Sequence, residues 1–284
     1  MVSVIIPVYN ESSNIALLLG QLRSVLSEGG YDNAELIVVD DGSTDGTGRA
    51  VADSGVKVEC ITNLINMGYG YSLKRGIVAA NNDTILIIDG DGSYPLTNIP
   101  SLLTTYRRGF DLIVASREKH FVEDTFFKNI FRMTLRMIVE FTAGIKVPDV
   151  NSGMKIFSRK MIMPYFPYLS DMFSFTTSMT LHYALDKKTI LFIPNGYHKR
   201  IGKSKVKLFR DMFRTLQFIV EIIAAKNPLK LHLLGMIPTF ILIIASFISL
   251  FAGASSGLLP LLFFTSALMI QISIAILGVQ DARK

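Results

Sequence analysis

The chain has 284 residues, of which 50% are hydrophobic and only 18% are charged. Its mean hydropathy is +0.40 and its formal net charge is +6. This composition is too apolar for an ordinary soluble domain of this length, so it disfavours a purely water-soluble protein. A lone cysteine, Cys60, excludes an internal disulfide and suits a reducing compartment.

Short apolar runs alternate with helical patterns through the first 115 residues. The runs predict strands at residues 2–7, 35–39, 56–62, 85–88 and 111–115. The patterns between them predict helices at residues 15–26, 44–52 and 102–108, and a glycine-bearing loop that opens into a helix within residues 66–80. Strands that are apolar throughout and alternate with helices indicate a mostly parallel sheet covered on both faces, which is an α/β fold.

Polar residues follow several of these strands. They are the stretches 7–11, 40–41, 66–70 and 89–91. Ligands of such sheets bind beyond the carboxyl ends of the strands, so we expect these residues to share one rim.

Asp89 and Asp91 are the most informative residues of this rim, because they directly follow the apolar strand ILII (85–88). Two carboxylates one residue apart can hold Mg²⁺ or Mn²⁺, usually together with a phosphate-bearing ligand. The alternative is a solvated acidic turn, since Asp-Gly pairs are common in turns. The loop NMGYGYSLK (66–74) favours an anionic ligand through its flexible backbone, its helix start and Lys74.

The pattern changes after residue 117. Residues 126–141 predict a helix with Arg132 and Arg136 on one face, and residues 147–157 are a turn-rich segment that ends in a strand. A helix at 174–185 and a strand at 190–193 follow. Residues 205–225 then alternate basic and apolar residues, which predicts a helix lying in a membrane interface.

Two runs without any Lys, Arg, Asp or Glu, residues 231–251 and 258–278, close the chain. Each is long enough to cross a ~30 Å hydrocarbon core, and the six residues between them predict a tight hairpin. The alternative is a pair of buried core helices. The predicted organisation is an α/β domain at 1–204, a juxtamembrane helix at 205–228 and a transmembrane hairpin at 229–280.

Basic residues flank both outer ends of this hairpin and none lies in its loop. The positive-inside rule then places residues 1–230 and the C-terminus in the cytoplasm, at the plasma membrane in a prokaryote. The N-terminus lacks a basic region and breaks at Pro7, which is unlike a signal peptide. Because the positive charge gathers beside the apolar runs, lipid head groups or a lipid phosphate explain it better than nucleic acid.

The ordered motifs VSVIIPVYNESSNI, ELIVVDDGSTDGT, NMGYGYSLKRGI and ILIIDGDGSYP resemble the inverting family-two glycosyltransferases. The later stretches SRE, DVNSGMKIF and YHKRIGKSKV are similar to the branch of dolichol-phosphate mannosyltransferases and bacterial polyprenyl-phosphate glycosyltransferases. This resemblance implies a GT-A fold. It also implies inverting transfer of a sugar from a nucleotide-sugar to a polyprenyl phosphate, with Mg²⁺ or Mn²⁺ as cofactor.

The resemblance also implies roles for residues, with Asp89, Asp91, Arg117 and Arg200 as the catalytic set. Asp89 and Asp91 match the metal-binding aspartates. The residues implied in nucleotide-sugar binding are Pro7, Tyr9, Glu11, Asp40, Asp41, Ser43, Gly68, Gly70, Lys74 and Asp89. Those implied in binding the acceptor phosphate are Arg117, Arg132, Arg200, Lys203, Ser204 and Lys205.

The sequence departs from the family pattern at three places. Gly90 stands where alanine is frequent, Ser93-Tyr94 replaces the commoner polar-His pair, and residues 175–177 contain no acid where some members have Glu. These departures leave the sugar and the acceptor open, and neither UDP nor GDP is favoured.

Three alternatives compete with this reading. A processive polysaccharide synthase is disfavoured because the chain has no Trp and therefore no Gln-x-x-Arg-Trp motif. Transfer to another lipid-linked or cell-envelope glycan keeps the same donor chemistry. A non-catalytic membrane scaffold is disfavoured by the intact aspartates, Lys74 and Arg200. Related enzymes also suggest a homotetramer.

Overall fold

The computed structural model describes residues 1–117, 126–196, 208–251 and 263–272. The chain divides into two units, residues 1–218 and residues 219–284. Seven strands of the first unit form one sheet: β1 (Val2–Val8), β2 (Glu35–Asp40), β3 (Glu59–Thr62), β4 (Thr84–Ile87), β5 (Leu112–Arg117), β6 (Lys155–Ser158) and β7 (Ile190–Asn195).

Helices lie between these strands and continue after them. They are α1 (Ile15–Glu28), α2 (Thr47–Ala52), α3 (Tyr69–Ala79), α4 (Ile99–Tyr106), α5 (Phe126–Ala143), α6 (Arg159–Ile162), a 3₁₀ helix (Met163–Tyr168), α7 (Phe175–Leu185), α8 (Leu208–Lys226) and α9 (Pro228–Phe251), with a further apolar helix, α10 (Phe263–Ile272). The predicted alternation of strands and helices is confirmed. Helix α4 begins three residues earlier than predicted, because Pro100 fits the first turn of a helix, where its missing N–H is not needed.

The strand order is β3-β2-β1-β4-β6-β5-β7. Strand β6 runs antiparallel to both its neighbours, and the other neighbouring pairs are parallel. The predicted mostly parallel α/β sheet is therefore confirmed, with one reversed strand.

The reversed strand determines which segments meet at the rim. Lys155, the first residue of β6, pairs with Ile87 at the end of β4 and with Val114 near the end of β5. Because β6 runs the other way, the segment that precedes it approaches the same edge that β4 and β5 reach at their ends. Residues 149–154 therefore lie near both the aspartate motif and Arg117.

Both faces of the sheet are covered, because successive side chains of a strand point to opposite sides. On one face, Val4 and Ile6 belong to a buried cluster with Leu19 and Leu22 of α1. On the other face, residues of β1 and β2 pack with α3 and α7; they are Ile5, Ile37, Val39, Leu73, Ile77, Phe175 and Met179. The continuous apolar runs in the sequence follow from this double burial.

The two edge strands differ from the central ones. Strand β3 has four residues, and Glu59 and Cys60 on it are exposed. Strand β7 carries Pro194, which has no N–H to offer to a further strand.

In the second unit, residues 228–245 of α9 form a stretch with mean hydropathy 1.8, long and apolar enough to cross a membrane. Gln271 of α10 donates a hydrogen bond from Nε2 to Thr239 Oγ1 of α9 at 3.0 Å. Polar contacts of this kind join apolar helices that pack against each other.

Two glycine-to-alanine substitutions should have opposite effects on stability. A Cβ at Gly76 of α3 would lie 2.5 Å from Ile5 Cγ2 and 3.1 Å from Val39 Cγ2, in a tightly packed layer of β-branched side chains. Gly76→Ala should therefore lower the free energy of unfolding by about 1–3 kcal/mol through overpacking.

Gly20→Ala in α1 is the control, because a Cβ there meets nothing within 4 Å. It should raise the free energy of unfolding by about 0.5–1 kcal/mol through helix propensity. Denaturant melts of the two full-length variants compare these values, and a neutral or stabilising effect of Gly76→Ala would contradict the packing of α3 on the sheet.

Candidate active site

The loops after β1 and β2 are joined by hydrogen bonds from backbone N–H groups of the first to side-chain hydroxyls of the second. Asn10, in a left-handed conformation with φ 51°, donates its N–H to Ser43 Oγ at 2.9 Å. The N–H of Glu11 donates to Thr47 Oγ1 at 2.8 Å. Partial burial raises the pKa of Asp45, but hydrogen bonds from Thr47 and Ser12 outweigh it and lower this pKa to about 2. The two loops therefore form one unit beside the strand ends.

Asp41 connects this unit to the glycine-bearing loop before α3. Its Oδ1 accepts from Asn63 Nδ2 at 2.7 Å and from the Met67 N–H at 2.9 Å, and its Oδ2 accepts from the Gly68 N–H at 2.9 Å. Asp41 is only 4% exposed. Neighbouring Asp40 is also buried and accepts from the Ser43 N–H at 2.9 Å. In this structure both carboxylates order the loops that surround them.

Tyr69, the first residue of α3, reaches across to the aspartate motif. Its hydroxyl donates a hydrogen bond of 2.8 Å to Asp89 Oδ1, and its ring stacks on Phe173 with centroids 5.9 Å apart. Burial, followed by the negative charge of Asp89, raises the pKa of Tyr69 well above its ordinary value. The phenol therefore stays protonated and remains a donor at neutral pH.

The rest of the aspartate motif is equally well ordered. Asp91 is 7% exposed and its Oδ1 accepts from the N–H and the hydroxyl of Ser93, at 3.0 and 2.6 Å. The Tyr94 hydroxyl accepts from the Gly153 N–H at 2.7 Å. A Cβ at Gly153 would lie 2.1 Å from Asp89 Oδ2, so the carboxylate of Asp89 packs directly against this glycine.

Arg117 and Asp149 form a bidentate ion pair at the end of β5. Arg117 Nε donates to Asp149 Oδ2 at 2.7 Å and Nη2 donates to Oδ1 at 2.8 Å. The Arg117 backbone N–H adds a bond to Oδ2 at 3.1 Å. Burial raises the pKa of Asp149, but the hydrogen bonds and charge of Arg117 outweigh it and hold this pKa below its ordinary value. The guanidinium is therefore held in one orientation.

Lys155 is fully buried beneath this pair. Its ammonium donates to the Thr176 carbonyl at 2.6 Å and to the Thr180 hydroxyl. Burial lowers the pKa of Lys155 to about 7, although the nearby Asp149 acts in the opposite direction. Lys155 thus ties β6 to the first turns of α7.

Lys74 contacts the segment that precedes α7. Its Nζ donates to the Leu169 carbonyl and to Asp171 Oδ1, both at 2.7 Å. Asp171 also accepts the Tyr71 N–H through its backbone carbonyl at 2.9 Å. Contact between Lys74 and a diphosphate remains a prediction.

The structure brings most of the predicted rim together. Hydrogen bonds and close packing lead from the loop 9–12 through Asp41, Tyr69 and Asp89 to residues 149–153 and then to Arg117. The Arg132 backbone lies in α5, but its side chain is outside the described residues. So are Arg200, Lys203, Ser204 and Lys205.

The metal-binding prediction rests on Asp89 and Asp91 alone. The described residues contain no group of three or more His, Cys, Asp or Glu that could hold an ion. Mg²⁺ bound together with a substrate needs only one or two carboxylates, since phosphates and water complete its shell. The pair therefore fits a cation that arrives with a diphosphate.

Sequence reasoning did not assign roles to three residues that the structure places here: Tyr69, Asp149 and Lys155. Asp149 and Lys155 lie in the stretch DVNSGMKIF. Charged residues that lead directly into a buried strand could have indicated a role at the site. Tyr69 lies in the glycine-bearing loop, and nothing in its local sequence indicates a partner 20 residues away.

Comparison with protein families identifies the chain. The profile of glycosyl transferase family 2 matches residues 3–166, which contain all the rim loops described above. The chain belongs to this family. The predicted family-two membership is confirmed, and with it the assignment as a glycosyltransferase.

Several bacterial relatives of this glycosyltransferase share one name, undecaprenyl-phosphate 4-deoxy-4-formamido-L-arabinose transferase. The protein from Yersinia enterocolitica is 23% identical over 84% of this chain and 72% of its own length. The one from Pseudomonas fluorescens is 24% identical over 86% of this chain and 72% of its own length. The chain spans only half the length of the Aeromonas hydrophila relative.

Among solved structures, glucosyl-3-phosphoglycerate synthase from Mycobacterium tuberculosis in complex with UDP has a TM-score of 0.63 and 19% identity. The match covers 78% of this chain and 79% of the synthase. The same synthase in complex with Mn²⁺, UDP and phosphoglyceric acid also gives a TM-score of 0.63. This likeness confirms the predicted GT-A fold.

The ion pair beside the motif should stabilise the domain in a pH-dependent way. Asp149→Asn leaves the Arg117 guanidinium without its charged acceptor, so the free energy of unfolding should fall by about 1.5–3 kcal/mol at pH 7. Because the pKa of Asp149 is lowered from 3.8, its contribution is present above this value and is lost at lower pH.

Thermal unfolding of wild type and Asp149→Asn from pH 8 to pH 3 measures this difference. We expect a constant gap between the melting temperatures at neutral pH and a narrowing gap below about pH 4. Asp53→Asn, which breaks an exposed pair with Arg49, is the control and should change little. A gap that widens in acid would contradict the assignment.

Proposed function

We propose that this glycosyltransferase moves a sugar from a UDP- or GDP-sugar to a polyprenyl phosphate with inversion at the anomeric carbon. The observation that carries the proposal is the match to undecaprenyl-phosphate sugar transferases over 84–86% of the chain. The product would be a sugar linked to the lipid through one phosphate. The acceptor class distinguishes this enzyme from the glucosyl-3-phosphoglycerate synthase that shares its fold.

Asp89 and Asp91 would hold Mg²⁺ or Mn²⁺, as the complexes of the related synthase with UDP and either ion suggest. The ion would neutralise charge that develops on the departing nucleoside diphosphate. The loops 7–11, 40–43 and 66–74 would bind the nucleotide, because Asp41 and the Asn10–Ser43 contact hold them beside the aspartates.

The acceptor needs little activation. A lipid phosphate is already anionic at neutral pH, so its oxygen can attack the anomeric carbon without a strong general base. Arg117 would hold this phosphate, since its guanidinium is oriented by Asp149 at the rim shared with Asp89. Arg132, Arg200, Lys203, Ser204 and Lys205 would complete the acceptor site. A single displacement then inverts the anomeric configuration.

The apolar C-terminal part would anchor the enzyme where its lipid acceptor lies. We assign residues 229–280 to a transmembrane hairpin with both termini in the cytoplasm and residues 205–228 to a juxtamembrane helix. The apolar stretch in α9 and the Gln271–Thr239 contact between α9 and α10 support this assignment.

A transfer assay with the full-length protein in detergent tests the proposal. Polyprenyl phosphate, Mn²⁺ and a panel of labelled UDP- and GDP-sugars are supplied, and label in the lipid phase is counted. We expect one donor to label the lipid, EDTA to abolish the transfer and added Mn²⁺ to restore it.

Asp91→Ala should lower this transfer by about 100-fold or more, because the departing diphosphate loses its electrostatic partner. Asp53→Ala removes an exposed carboxylate and is the matched control. Donor hydrolysis without labelled lipid would move the acceptor to another class. Tight nucleotide binding with no turnover of any donor would favour a scaffold.

A further inference from the structure

Asp89 is held from two sides by residues outside its own aspartate motif. The Tyr69 hydroxyl donates to Oδ1 at 2.8 Å, and Gly153 leaves the space that the carboxylate fills, since a Cβ there would lie 2.1 Å from Oδ2. The Gly153 N–H is fixed in turn by the Tyr94 hydroxyl at 2.7 Å. Both side contacts restrict the rotation of the Asp89 carboxylate.

Tyr69 is itself well placed to impose an orientation. It is the first residue of α3, directly after Gly68, whose N–H is bound by the buried Asp41. Its ring stacks on Phe173 at an interplanar angle of 16°, so the hydroxyl is aimed by contacts at both its backbone and its ring. A donor held this firmly fixes the acceptor that it meets.

We propose that Tyr69 is a positioning residue that orients Asp89 for divalent-cation binding. The hydrogen bond fixes one acceptor position of Oδ1 and with it the plane in which the Asp89 carboxylate lies. Partners of this kind, which orient a ligand without touching the metal, change metal affinity or activity by about 10–100-fold when removed. The inference rests on the proposed function, because it requires a cation at Asp89.

Tyr69→Phe tests the proposal, because it keeps the ring and its stacking on Phe173 and removes only the hydroxyl. Mn²⁺ is titrated into the full-length protein with UDP or GDP, whichever supports tighter binding by wild type, and the free ion is followed by electron paramagnetic resonance. We expect the Kd for Mn²⁺ to rise about tenfold or more. Transfer activity should fall at low Mn²⁺ and recover at saturating Mn²⁺.

Tyr165→Phe is the matched control, since it also removes a tyrosine hydroxyl that donates to a carboxylate, Asp186 Oδ2 at 2.7 Å, but outside the loops assigned to nucleotide binding. It should leave the Kd for Mn²⁺ unchanged. An unchanged Kd in Tyr69→Phe, or an equal rise in both variants, would overturn the positioning role.

Asp89→Asn separates this inference from the function on which it rests. Loss of Mn²⁺ binding in Asp89→Asn together with normal binding in Tyr69→Phe would overturn the inference and leave the proposed metal site intact. Mn²⁺ binding that survives in Asp89→Asn would overturn both.

Discussion

Buried carboxylates at one edge of the sheet need hydrogen-bond donors, and this need organises the loops of the candidate site. Asp40, Asp41, Asp91 and Asp149 are each less than a tenth exposed. An ionised carboxylate without partners would be costly at such depth. The donors come from the loops themselves, through backbone N–H groups and through the side chains of Asn63, Ser93 and Arg117. The loops are therefore ordered before any ligand arrives, which lowers the entropic cost of binding.

The reversed direction of β6 adds a second half to this rim. In a wholly parallel sheet, the segment before a strand lies at the opposite edge from the segments that follow its neighbours. Because β6 is antiparallel, residues 149–153 reach the aspartate motif and supply Gly153 against Asp89 and Asp149 against Arg117. One change of strand direction thus places Asp149, the partner of the proposed acceptor-binding arginine, at the same edge as the proposed metal ligands.

The sequence was sufficient for features encoded in local patterns. The apolar runs predicted the strands, and the polar residues after them predicted a common rim, because both follow from burial on two faces of a sheet. Partners distant in the chain were not predictable. Arg117 and Asp149 are 32 residues apart, and their contact depends on β6 lying next to β5, which periodicity does not reveal. The Tyr69–Asp89 bond has the same origin, because it crosses between loops that follow different strands.

The two edge strands have a consequence for self-association. Strand β3 offers only four residues with Glu59 and Cys60 exposed, and Pro194 interrupts the donor pattern of β7. Short, charged or proline-bearing edges resist the addition of a strand from another molecule. These edges therefore disfavour edge-to-edge pairing between copies of the protein, and contacts between copies would form through helices and loops rather than by extension of the sheet.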